Sequence, residues 1–179
     1  MSTSEKDSHS ATASEATPGM FAKPQKEHEW LQQLVGDWTF ESQCSGEPGK
    51  PAETFRGSET VKALGDLWII GEGRGEMPGG DTGHMRITLG FDPARDRFVG
   101  TWIGSMMTHL WIYEGRLDAE ARILTLDAEG PSFTGDGTLA KYQDVIEIVD
   151  RDHRTLTSRT LGADGTWTQF MTARYVRKS

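Results

Sequence analysis

About ten short runs of this chain alternate apolar and polar side chains with a period of two. Each such run reads as a half-buried strand. Residues 37–42 set Trp38 and Phe40 against polar neighbours. Residues 84–91 set Met85, Ile87, Leu89 and Phe91 against Arg86 and Thr88, and residues 97–103 alternate Phe98 and Trp102 with a glycine between them. The remaining runs are 53–64, 67–74, 108–113, 122–127, 141–149, 155–161 and 166–176. Gly65-Asp66, Pro78-Gly79-Gly80-Asp81, Asp92-Pro93-Ala94-Arg95-Asp96 and Gly162-Ala163-Asp164-Gly165 supply turn chemistry between runs. Glu114-Gly115 reads as the end of a strand, Gly104-Ser105 as a turn or bulge, and Gly71-Glu72-Gly73-Arg74-Gly75 as a turn or bulge at a strand end. Long helices between strands are missing, which argues against parallel βαβ units. The fold class is therefore mainly β, an antiparallel sandwich or closed barrel of about ten strands.

One helix precedes the strands. Over residues 24–36, Trp30, Leu31, Leu34 and Val35 fall on one face at helical spacing. Pro24 suits its first turn and Gly36 its C-terminal cap. A helix of about ten residues does not persist alone, so its Trp/Leu stripe must dock on the sheet. Residues 1–23 are rich in Ser, Thr, Ala and Glu and read as a disordered polar tail without the apolar segment of a signal peptide. Residues 24–179 form the single domain expected of a 179-residue chain.

Charge and cysteine content narrow the function classes. The net charge of −8 disfavours non-specific binding to nucleic acid or anionic membrane. The dispersed basic residues form no stripe that interleaves with aromatics. No stretch approaches the length of an apolar membrane-spanning helix. A lone cysteine, Cys44, cannot form an internal disulfide, so a reducing, cytoplasmic setting is the simplest expectation, with Cys44 a buried apolar residue on a strand.

Gly36-Asp37-Trp38 after a helix resembles the entry to the first strand of lipocalins and fatty-acid-binding proteins. A more specific resemblance joins several segments. His28-Glu29-Trp30-Leu31 through Trp38, Leu67-Trp68 with Gly71-Glu72-Gly73, Leu89-Gly90-Phe91-Asp92-Pro93, Phe98 through Trp111, and Asp164-Gly165-Thr166-Trp167 before Phe170-Met171 resemble the Domain of Unknown Function 1579 family. The resemblance spans roughly residues 25–177. It implies a lipocalin-like, calycin-type barrel and carries over no functional residue. In lipocalins an arginine near the end of the last strand packs over the entry Trp. Trp38 with Arg174, or with Arg177 close by, is the implied closure of one barrel end, a cation–π contact of about 0.5–2 kcal/mol.

Catalytic motifs are missing: the chain has no Gly-x-Ser-x-Gly elbow, no P-loop and no dinucleotide fingerprint. His28, His84, His109 and His153 are scattered singly, so no metal site is expected, and the sequence leaves any cofactor unknown. The chemistry-bearing segment is 101–113, where Trp102, Met106, Met107, His109, Trp111 and Tyr113 crowd together. Methionine and aromatic side chains give an adaptable lining with polar tips. The first expectation is a binding module whose interior holds a small, partly apolar molecule. Its candidate lining residues are Trp68, Arg86, Trp102, Met106, His109, Trp111, Tyr142 and Arg159, with either arginine available to an acidic head group if buried. A second is an enzyme using Glu72, His109 or Tyr142 as acid–base groups. Alternation points Glu147 at solvent between Ile146 and Ile148. A third is an interaction protein with a filled barrel, where an exposed edge strand or the helix would support a homodimer.

Overall fold

In the computed structural model, which describes residues 22–45 and 52–179, the alternating runs become ten antiparallel strands. They are β1 (Gly36–Cys44), β2 (Glu53–Leu64), β3 (Trp68–Glu76), β4 (Thr82–Asp92), β5 (Arg97–Gly104), β6 (Trp111–Leu117), β7 (Ile123–Pro131), β8 (Leu139–Ile148), β9 (His153–Leu161) and β10 (Trp167–Arg177). Each pairs with its chain neighbours, and β1 pairs with β10, so the sheet closes into an up-and-down barrel. Every strand has two partners, which leaves no edge strand among the described residues. The polar tail expected over residues 1–23 falls, through residue 21, outside the described residues.

Closure follows from the strand pattern. A period of two puts one face of each strand inside, and the registers keep those faces in phase. Trp38 on β1 stands opposite Arg177 on β10 and Glu59 on β2, and Leu89 on β4 stands opposite Ile69 on β3 and Gly100 on β5. The register slips once, between Gln169 and Met171. That bulge re-aims the strand, so that Phe170 and Met171, neighbours in sequence, both reach the interior.

Helix α1 (Lys26–Gln32) seals one end. It is shorter than its periodicity suggested. Pro24 precedes the cap residue Gln25, and the helix ends at Gln33. Gly36 opens β1 instead of capping the helix. His28 takes the place of Glu or Gln in a capping box: its Nδ1 accepts the Gln25 N–H at 2.9 Å. Its Nε2–H donates to the Phe91 carbonyl at 3.2 Å, a pattern that specifies the Nε2–H tautomer. Trp30, Leu31 and Leu34 are buried, and Trp30 meets Phe98 edge-on while its Nε1–H donates to the Ala121 carbonyl at 2.7 Å.

Trp38 lies beneath this helix, 1% exposed, with its Nε1–H on the Leu34 carbonyl at 2.9 Å. The arginine that covers it is Arg177, 4.1 Å from the ring centre, whereas Arg174 is exposed. The bulge and strand phase explain the choice: Tyr175 and Ala173 point inward, so Arg174 between them points out. Arg177 also donates to the carbonyls of Val35 at 2.6 Å and Gln33 at 2.9 Å, which the helix end leaves unpaired. Gly36 has φ of +142°, and a Cβ there would run into the Arg177 guanidinium.

Several turn assignments shift. Glu114-Gly115 does not end a strand, since β6 continues to Leu117. Residues 108–110 lie before β6, not in it. Gly71 to Gly75 lie inside β3 rather than in a turn, because the missing side chains serve the barrel interior.

Candidate functional site

The glycines of β3 define the site. Gly71, Gly73 and Gly75 alternate along its inner face, where other strands carry bulky side chains. A Cβ at Gly71 would lie 2.8 Å from Ile87 Cγ2 and 2.9 Å from Glu59 Oε1, whereas one at Gly73 would meet nothing closer than Met85 Cε at 3.5 Å. The inner face is thus tight at Gly71, while a Cβ at Gly73 would make only ordinary van der Waals contacts, and Gly73 lines the interior space. That space is a cavity of about 290 Å³ inside the barrel, near the lower size of small-molecule pockets. Most of its lining is apolar, including Ile69, Ile87, Leu89, Leu126 and Leu156.

Polar groups sit at two depths. Near the helix-sealed end, Arg154 forms an ion pair with Glu59, their side chains 5% and 13% exposed. The Arg154 guanidinium lies 3.8 Å from the Tyr175 ring centre and 4.8 Å from that of Trp38. Arg154 Nε is buried without a hydrogen-bond partner. Two inward positions farther along the sheet, Asp144 on β8 accepts hydrogen bonds from Tyr113 on β6 and from Ser158 on β9. Burial pushes the Asp144 carboxyl above its ordinary range, against the pull of the two hydroxyl donors. Burial, followed by the Asp144 charge, pushes the Tyr113 hydroxyl up strongly, so Tyr113 stays a neutral donor. Tyr175 is raised as well, mainly by burial.

Aromatic rings crowd the opposite end. Trp111 meets His109 and Tyr142 edge-on at 5.0 Å each, and Phe133 and Phe170 extend the cluster from Tyr142. The Tyr142 hydroxyl donates to the Pro131 carbonyl at 2.6 Å, which holds the ring. Met107 accepts the Trp111 Nε1–H at 3.1 Å and lines the cavity.

The structure sorts the residues singled out from sequence. Trp102, Trp111 and Tyr142 line the cavity. Trp68 does not: it lies on the outer face against Gly90, where a Cβ would run into its ring. Arg86 also points outward and pairs with Glu72, and Arg159 bonds Gln143 Oε1 at 2.7 Å outside. Both arginines alternate with inward residues, so neither can meet an acidic head group in the interior. Met106 packs at the rim near Gly83 and Gly104, and its neighbour Met107 faces the cavity instead. His109 sits outside the cavity lining, with Nε2–H donated to the Glu129 carbonyl at 3.0 Å.

Of Glu72, His109 and Tyr142 only Tyr142 lines this cavity; Arg86 holds Glu72 below the ordinary carboxylate range by hydrogen bond and charge, on the surface. Glu147 is on the outer face near Arg122. Cys44 is half-buried, and burial followed by the Glu53 charge raises its thiol, which weakens it as a nucleophile. Among the described residues no three His, Cys, Asp or Glu side chains converge. Sequence reasoning passed over Glu59, Asp144, Arg154 and Ser158. Strand phase marks two of them as inward-facing, since Asp144 is two residues from both Tyr142 and Ile146, and Arg154 is two from Leu156, but it does not bring them together.

Fold and cavity together define a closed ten-stranded antiparallel β-barrel with a small, mostly apolar interior chamber. Residues 23–177 match the family described as protein of unknown function (DUF1579), and the chain belongs to that family. No curated protein matches it. Among solved structures it is similar to Rv2717c from M. tuberculosis, at 11% identity and a TM-score of 0.56, over 84% of this chain and 96% of that one. It is also similar to the S-type phycobiliprotein lyase CPES from Guillardia theta, at 14% identity and a TM-score of 0.54, over 87% and 99%. A de novo designed fluorescence-activating β-barrel aligns at 14% identity and a TM-score of 0.45, over 82% and 95%. These likenesses concern the fold.

Proposed function

We propose that the barrel is a binding module that holds one small, partly apolar molecule in its interior. The observation that carries this reading is the cavity beside Gly73. Close packing is the rule inside proteins, and an interior cavity of this size departs from it. Apolar walls supply affinity by burial, while Asp144, Tyr113 and Ser158 give the chamber a place to orient a polar atom. Methionine and aromatic side chains at the far end suit ligands of varied shape.

The test is calorimetric titration of the full chain and of Gly73→Leu with decanol, a neutral apolar probe. A Cβ at 73 meets only ordinary contacts, and a leucine there would take up part of the chamber. The expected result is saturable, one-to-one binding by the natural protein and at least tenfold weaker binding by the variant, with unchanged β circular dichroism. Equal binding by both would place the probe elsewhere and sink the proposal.

A further inference from the structure

The ionisable groups that line the cavity are unbalanced. Glu59, Asp144 and Arg154 face it, together with the phenols of Tyr113, Tyr142 and Tyr175. Arg154 is paired: Glu59 takes one of its nitrogens, and Trp38 and Tyr175 flank its guanidinium, while its Nε is buried without a hydrogen-bond partner. Among the described residues Asp144 has no cation beside it. Its partners are two hydroxyls, from Tyr113 and Ser158, and each leaves the carboxylate an acceptor with lone pairs to spare. The surrounding surface includes the rings of Trp102, Trp111 and Tyr142, whose faces attract positive charge. Among the described residues of the lining the one cation, Arg154, already has Glu59 as its counter-charge, so the two carboxylates outnumber it.

Resting on the reading of the chamber as a ligand site, we infer that its ligand carries a hydrogen-bond-donating, cationic head group, a protonated amine on an apolar body, with Asp144 as its acceptor. A charged donor on a buried carboxylate is the strong form of hydrogen bond, and it also gives Asp144 the counter-charge that its own partners lack. A fatty acid or other anion would bring a second negative charge to Asp144 in a low-dielectric interior.

Three probes with one chain length separate the head groups: decylamine, decanol and decanoate, titrated into the full-length protein at neutral pH. The expected order is amine tightest, alcohol next and carboxylate weakest, with at least a tenfold gap between amine and carboxylate. Asp144→Asn should remove most of the amine's advantage over the alcohol, read as the ratio of the two affinities. Asp144→Ser gives the same reading where the amide variant folds poorly. Decanoate binding as tightly as decylamine overturns the inference but leaves the chamber as a ligand site. An amine preference that survives loss of Asp144 overturns it too, since the overall negative charge would then be its source. Absence of binding by all three probes overturns both the inference and the proposed function.

Discussion

Asp144 concentrates the opposing demands on this barrel: a carboxylate that water would stabilise is held inside by two hydroxyls. Its folded-state acidity is weakened by burial, so the sign of its effect on stability is defined. The contribution of this group is fully present below the unfolded value near 3.8 and is lost as pH rises through the raised folded value. Asparagine has no proton to lose and can still accept one of the two hydroxyl bonds. Thermal melts should therefore show Asp144→Asn melting higher than the natural protein at neutral pH, with the gap closing as pH falls into the ordinary aspartate range. A variant that melts lower at neutral pH contradicts this. Trp38 makes a simpler prediction. It is buried under Arg177 and bonded to Leu34, so Trp38→Ala should cost about 3–5 kcal/mol in urea denaturation. A neutral result would mean that the helix-sealed end tolerates a void.

Strand β3 separates wall thickness from backbone conformation. Neither Gly71 nor Gly73 has a positive φ, so alanine at each position differs only in the space available. Gly71→Ala pushes on Ile87 and Glu59 and should cost about 1–3 kcal/mol, while Gly73→Ala should stay within about 1 kcal/mol of the natural protein. Equal losses would show that this strand's glycines serve the backbone rather than the chamber. The same strand explains what could and could not be read from sequence. Where one face is apolar and the other polar, as in β1, β4 and β5, alternation located both strand and interior. In β3 the inner face is Ile69 followed by glycines, and Trp68 covers Gly90 outside. An outward aromatic over a glycine looks, in sequence, like a core residue. Helix α1 was visible through its Trp/Leu face, but its length was not, because its last carbonyls are completed by Arg177, more than 140 residues away.

The closed barrel has two unlike ends. One is plugged by α1 and clasped by Arg177, with the Glu59–Arg154 pair just inside; the other gathers Met107, Trp111, Tyr142 and Phe170. Ten short alternating runs indicated an antiparallel sandwich or a closed barrel, and the family resemblance pointed to the barrel that the β1–β10 pairing closes. The chamber was less visible: its polar groups lie on β2, β6, β8 and β9, and only the registers bring them together. The chamber's occupancy is best judged by native mass spectrometry of the protein isolated from its natural source, beside Gly73→Leu isolated the same way. The natural protein should carry one non-covalent small-molecule adduct that the variant lacks. The bare mass for both, or the same adduct on both, would contradict a ligand-binding interior.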